Sequence, residues 1–266
     1  MARFLILNSS IKKFMKRFHL IEIHEQTWCP ALIRDAATDY LQFAITFGNV
    51  YQPIFPHLET ALKNAGIGKI VDLCSGGGGA WVSLKKEFAN VEVTLTDYYP
   101  NLAAFRELKK HHDLNFEELS VNALDVPDNL TGFRTMFTAF HHFRPAQAKE
   151  ILRDAANKNC GIGIFEATPR NVKTLLIMLL TPIFVLLLTP KIRPFRWSRI
   201  VFTYLLPIVP LVVLFDGVVS ALRTYTPDEL KEFTHDLGDD NYIWEIGEKR
   251  GEKNPIPIIY LIGYPK

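Results

Sequence analysis

Cysteine is scarce in this chain. Its 266 residues hold three, Cys29, Cys74 and Cys160, and no two stand at C-x-x-C spacing. That excludes a disulfide framework and a zinc site, assigns no metal, and fits a reducing compartment. Charge of one sign is lacking as well. Thirty Lys and Arg face 28 Asp and Glu, a net charge of +2, so the bulk charge makes no case for a nucleic-acid partner. There is no internal repeat and no low-complexity tail. The apolar run Phe4–Leu7 is too short for a secretory signal, and no small-residue cleavage site follows it. The expected location is therefore cytoplasmic. With 48 % hydrophobic and 22 % charged residues, the apolar content must be concentrated somewhere along the chain.

From residue 69 the pattern alternates strand and helix. Strands are predicted at 69–73, 91–96, 118–122, 133–139 and 160–166, and helices at 80–88, 100–111 and 144–157. Such alternation implies a parallel sheet covered on both faces, which binds ligands at the carboxyl ends of its strands. The first strand runs Ile70-Val71-Asp72 into Leu73-Cys74-Ser75-Gly76-Gly77-Gly78-Gly79. A glycine turn lets a ligand reach backbone N–H groups at the start of a helix. Nineteen residues after Gly78, the second strand ends in Asp97, placed to accept hydrogen bonds from ribose hydroxyls. Asp72 stands where a pyrophosphate would otherwise lie and repels phosphate. The two acids together suit a ligand with a cationic end and an adenosine end, as in S-adenosylmethionine. No Gly-Lys-Ser/Thr follows the glycines, which excludes a P-loop. A nicotinamide site remains the competitor; it would need a small residue at Trp81, and it leaves Asp72 unexplained. Asp125, His141 and Glu166 also fall at or just past strand ends.

These residues resemble class I S-adenosylmethionine-dependent methyltransferases over about 69–168 and 224–266. Asp72, Gly76 and Gly78 match the family's first turn. Cys74 replaces its first glycine, a change expected to be tolerable because only the later glycines need close backbone approach. Asp97 matches the ribose acid, Asn122-Ala123-Leu124-Asp125 the segment whose acid often bonds the adenine amino group, and Phe137–Phe143 the segment beside the transferred methyl. The resemblance implies a Rossmann-like doubly wound seven-stranded α/β sheet with its last strand antiparallel near the edge. It also implies a cofactor site bordered by Asp72, Cys74, Ser75, Gly76, Gly78, Asp97, Tyr98, Ala123, Leu124, Asp125 and Ala139. Methyl transfer needs alignment, exclusion of water and, for a protic acceptor, a base. His141 is the first choice, His142 the second and Glu166 the third; successive residues are expected to point in different directions, so only one histidine should face the ligand.

Outside this core the sequence predicts an N-terminal helical cap over 1–68. Within it, 10–21 reads as a basic amphipathic helix, either packed on the domain or lying on an anionic membrane surface. Thr38–Phe47 and Pro56–Ala65 read as helical, and Trp28, Arg34, Tyr40 and Tyr51 are candidates for a lid or simply for core and surface of the cap. Over 169–223 the alternation breaks. Thr174–Pro190 and Ile200–Phe215 are uncharged runs of seventeen and sixteen residues, separated by a bend carrying Lys191, Arg193, Arg196, Arg199, Phe195 and Trp197. As helices each would reach roughly 24–26 Å, short of a ~30 Å hydrocarbon core. Prolines interrupt both, and a spanning hairpin would carry its basic bend to the outer side, against the positive-inside tendency. The expectation is a hairpin that enters one leaflet or lies obliquely; two short spanning helices and a soluble dimerisation arm are the alternatives. Thr226-Pro227-Asp228-Glu229 then starts a helix, and strands follow at 241–247 and 256–263. The combined expectation is a methyltransferase on the cytoplasmic face of a membrane, with membrane lipids as partners and a lipid or lipophilic small molecule as substrate. A membrane-bound scaffold without turnover and a nicotinamide-dependent oxidoreductase are the other readings.

Overall fold

The computed structural model describes residues 15–237, 241–252 and 254–266. Two compact units are formed, one from residues up to Ala37 with Thr168–Tyr225, the other from Thr38–Ala167 with Thr226–Lys266. Helix α1 (Ala31–Phe47) carries the first boundary, so residues 38–68 belong with the sheet and not to a separate cap ending at 68. The reason is contact: in α2 (Phe55–Ala65), Asn64 donates to the Tyr264 hydroxyl at 3.2 Å and His57 stacks on Tyr260.

In the larger unit the strands are β1 (Lys69–Asp72), β2 (Glu92–Leu95), β3 (Asn115–Phe116), β4 (Phe133–Phe137), β5 (Ile162–Glu166), β6 (Tyr242–Lys249) and β7 (Ile258–Pro265). They form one seven-stranded sheet in the order β3-β2-β1-β4-β5-β7-β6. The first five run parallel, and β7 is antiparallel to both β5 and β6. Central strands β4 and β5 are almost wholly buried, as parallel strands covered by helices on both faces must be. Helices α3 (Trp81–Leu84), α4 (Leu102–His111) and α5 (Pro145–Asn157) link them. Trp81, Phe105, Phe133 and Phe165 fill the core with Ile54 and Leu58 from the N-terminal helices. Helix α10 (Pro227–Thr234) begins where the sequence places it, with Thr226 and Glu229 closing a reciprocal cap.

Two elements differ from expectation. The third strand lies at 115–116, because β2 offers partners only up to Leu95; the predicted 118–122 segment bonds instead to the chain beyond β2, through Val121 N–H to Asp97 O at 2.9 Å. The helix predicted over 80–88 stops at Leu84, where buried Lys85 turns its ammonium onto the carbonyls of Phe88 and Ala89.

The smaller unit is built on α6 (Val172–Met178), α7 (Thr181–Leu188), α8 (Trp197–Ile200), a π-helical turn (Val201–Leu205) and α9 (Ile208–Arg223). Val185, Val209, Val212 and Val213 are its buried seam, and a Cβ on Gly217 would stand 3.0 Å from Met178 Sδ, so α6 and α9 approach closely. No single helix among the described residues is long and apolar enough to cross a membrane. The two arms are each broken, by 42° before Thr181 and by 79° at Leu206–Pro207. Both breaks adjoin prolines, which cannot continue a helical hydrogen-bond ladder.

Of the predicted 10–21 helix, residues 10–14 lie outside the described ones, and 15–21 are not helical. This strip follows the end of α9: Phe18 N–H bonds Leu222 O, and the Arg17 guanidinium donates to Arg223 O and lies 4.0 Å from the Tyr225 ring centre. Beyond it, Asp216, in the apolar α9, accepts the N–H groups of Ile23 and His24 and the His24 ring, while Arg223 pairs with Glu22 and Glu25.

Candidate active site at the carboxyl ends of the strands

The glycine turn begins as β1 ends. Leu73 N–H bonds Thr135 O on β4, and Ser75 N–H bonds Thr96 O beyond β2, so the turn is pinned between both neighbours of β1. Gly76, Gly78 and Gly79 are left-handed. A Cβ on Gly78 would meet Leu108 of α4 at 2.1 Å, so this glycine permits helix–sheet packing, whereas one on Gly76 would meet nothing within 4 Å and faces open space. Cys74 is also left-handed, at φ 56°. Its position therefore does want glycine, but for backbone conformation and not for close approach; a side chain there costs roughly 1–2 kcal/mol. Cys74 is half-buried, and desolvation together with Asp97 and Asp72 pushes its thiol pKa far up, making it a poor nucleophile.

The two acids play different parts. Asp72 is buried beneath the turn, its carboxylate accepting the hydroxyls of Ser75 and Thr135 at 2.6 Å each. Burial pushes its pKa up to about 6 against the pull of those bonds. Half-buried Asp97 spans the crevice mouth, with one oxygen accepting Gly76 N–H and the other Tyr99 N–H, both at 2.8 Å. Tyr98, half exposed, stands beside it against Tyr99. The Val121 bond to Asp97 O brings the 122–125 turn to the same place; Ala123 is buried, Leu124 half-buried and Asp125 exposed.

On the other side of β1, Ala139 is buried and leads into a 3₁₀ turn, Phe140–His142. The turn explains why the two histidines do not diverge as strand neighbours would: their rings lie 4.2 Å apart. His141 is fully buried. Its Nδ1 donates to Glu166 Oε2 at 2.7 Å, and its backbone N–H bonds Glu166 Oε1 at 3.1 Å. With Nδ1–H held by a carboxylate, the basic nitrogen of that imidazole is Nε2. Glu166 thus engages His141 with both oxygens.

No family model matches this sequence, and no curated protein matches it. Similarity is found among solved structures. PigF, solved with SAH, superposes with a TM-score of 0.52 at 15 % identity, over 90 % of this chain and 63 % of that one. An O-methyltransferase family protein from Burkholderia thailandensis gives 0.51 at 16 % identity, over 99 % of this chain and 70 % of that one. The chain has the class I methyltransferase fold. The methyltransferase fold accounts for the strand order, the antiparallel β7 and the glycine turn after β1.

Two residues outside the motifs brace the glycine turn and its buried acid. Gln42 of α1 donates to Gly79 O at 2.8 Å, and nothing in an ordinary amphipathic helix marks it out. Thr135 had a signal, as a hydroxyl in an otherwise buried strand. The lid candidates are dispersed: Trp28 is exposed, Arg34 bonds the carbonyls of His24, Gln26 and Cys29, and Tyr40 and Tyr51 are buried. A pocket of about 570 Å³ lies at the opposite, amino ends of β1 and β4; its cations Lys69, Arg134 and Lys158 are each paired internally.

Proposed function

We propose that this chain is an S-adenosylmethionine-dependent methyltransferase that works at a membrane surface on a lipid or lipophilic small molecule. The carrying observation is Asp97 at the crevice mouth, bonded to Gly76 N–H beside an open glycine face, with the second carboxylate, Asp72, beneath the same turn. That arrangement accommodates ribose hydroxyls and a cationic end and disfavours phosphate. Fully buried Trp81 occupies the position where a nicotinamide site needs a small residue. PigF, of the same fold, was solved with SAH.

Asp97 would hold the ribose, the glycine turn the methionine end, and Ala123 to Asp125 the adenine. Bound S-adenosylmethionine supplies an electrophilic methyl on sulfonium. Glu166 would orient His141, whose Nε2 would be the group to take the proton that a protic acceptor loses on methylation, S-adenosylhomocysteine being the other product. His142 borders the base.

The membrane part of the proposal is supported by the hairpin's surface. Leu176, Leu179, Ile183, Leu187, Leu205 and Leu211 are large, apolar and exposed. At the bend, Arg193, Arg196 and Trp197 are exposed, a combination suited to anionic headgroups. Arg199 does not belong to that rim, being buried and bonded to the carbonyls of Ile192 and Pro194. Arms this bent suit a seat within one leaflet.

Calorimetry with S-adenosylmethionine and labelled-methyl transfer into a lipid extract test the enzyme reading. Asp97→Ala is expected to weaken cofactor binding about tenfold or more. His141→Ala should leave binding intact and cut turnover by roughly 10²–10⁴. Absence of cofactor binding in the wild type, or equal turnover in all three proteins, overturns it.

A further inference from the structure

Thr138 follows β4 directly, in a conformation that its side chain disfavours. Its φ is 45°, in the left-handed region, where β-branched residues are outliers. Glycine would relieve the strain at once, so the threonine needs a reason. Its bonds supply one. Thr138 N–H donates to Phe165 O at 2.7 Å, and its Oγ1 accepts Ala167 N–H at 3.1 Å. Those two residues flank Glu166. The same Oγ1 shares a hydrogen bond with the hydroxyl of Tyr51, which is buried at 1 % exposure between α1 and α2 and rests edge-on against Phe137. Three residues beyond Thr138 stands His141, whose ring and backbone meet both Glu166 oxygens.

We infer that Tyr51 and Thr138 are positioning residues which set the register between the turn bearing His141 and the strand end bearing Glu166. The inference rests on the reading of His141 as the base. Thr138 grips the chain on either side of Glu166 and launches the turn that delivers His141. Tyr51 fixes the rotamer of the Thr138 hydroxyl so that the oxygen faces Ala167 N–H. That grip fixes the spacing across which the 2.7 Å His141–Glu166 contact forms. Misplacement of a reacting group by about 1 Å can cost on the order of 10²-fold in rate.

Four variants of the full-length protein test this: Tyr51→Phe, Thr138→Gly, Thr138→Ser and His141→Ala. Tyr51→Phe keeps the ring and loses only the hydroxyl. Thr138→Gly removes the strain and the side-chain half of the clamp together, leaving the backbone bond to Phe165, whereas Thr138→Ser keeps the hydroxyl. The readouts are melting temperature, cofactor affinity, kcat, its pH profile, and the nitrogen resonances of the His141 imidazole in histidine-labelled protein. Tyr51→Phe and Thr138→Gly should fold, bind cofactor as wild type does, lose about tenfold or more in kcat, and shift the His141 titration and tautomer signals. Thr138→Ser should restore all of these. A Thr138→Gly protein at least as stable as wild type but slow separates positioning from mere structural support. Wild-type kcat and unchanged His141 resonances in Tyr51→Phe and Thr138→Gly overturn the inference. If His141→Ala is fully active while the resonances of the other variants still move, the base reading fails and the positioning stands.

Discussion

At the scale of single residues, the least obvious result is that the two acids of the motif divide the work. Asp97 is at the mouth, while Asp72 is sealed under the turn and is hard to ionise. The sign of the consequence follows from linkage. A carboxyl whose folded pKa is raised from 3.8 to about 6 holds its proton more tightly folded than unfolded. Stability contributed by Asp72 is therefore present below the unfolded value and falls as pH rises to the folded one, staying lower above it. Asp72→Asn should stabilise the cofactor-free protein by roughly 1–3 kcal/mol at about pH 7.5 and by much less near pH 4. Urea unfolding at the two pH values measures this, and a gain independent of pH would contradict it. The same substitution is expected to weaken the cofactor, whose cationic end the carboxylate favours. The acids and glycines were legible in the sequence, because the chemistry of such a turn limits which residues serve. The left-handed Cys74 and Thr138 were not, since a φ angle is set by what the chain meets on either side.

Among the elements, the α9 helix and the strip beside it show how an apolar run can hide a polar anchor. Asp216 ends an uncharged stretch and holds the 23–24 backbone. Burial lowers the His24 pKa, but the Asp216 hydrogen bond and the charges of Glu22, Asp216 and Glu25 outweigh it, so the net shift is upward. Arg34 donates to the His24 carbonyl at 3.0 Å. Protonated His24 thus contributes stability in full below 6.5, lost as pH rises through its raised folded value. His24→Gln should cost about 1 kcal/mol near pH 6 and nothing near pH 9, read from thermal unfolding of both proteins across that range. A cost that does not vary with pH would mean the imidazole is only packing. Periodicity pointed to a helix at 10–21, but its described part is not helical, and Phe18 N–H bonds instead to Leu222 O at the end of α9. Local pattern could not anticipate that, and for the same reason the third strand moved to where β2 offers a ladder.

On the scale of the whole molecule, the chain leaves the sheet after Glu166 and returns to it at α10, so the hairpin is spliced in one residue beyond Ala167. If it seats in a leaflet, the purified protein should float with vesicles rich in anionic lipid, and less so as salt rises. Replacing the exposed Leu187 and Leu205 with Asp should abolish flotation while leaving cofactor affinity unchanged; flotation that survives both changes would remove the membrane proposal. By itself the sequence determined the alternation of strand and helix, the glycine turn with its two acids, and the place and apolar character of the insertion. Those depend on residue type at fixed spacing, a property carried along the chain. Only the tertiary structure decided that residues 38–68 join the sheet, that Asp72 faces inward, that the two histidines lie side by side, and that Tyr51 meets Thr138. Each of these depends on which distant backbone groups come within hydrogen-bond reach, and that is settled when the elements pack.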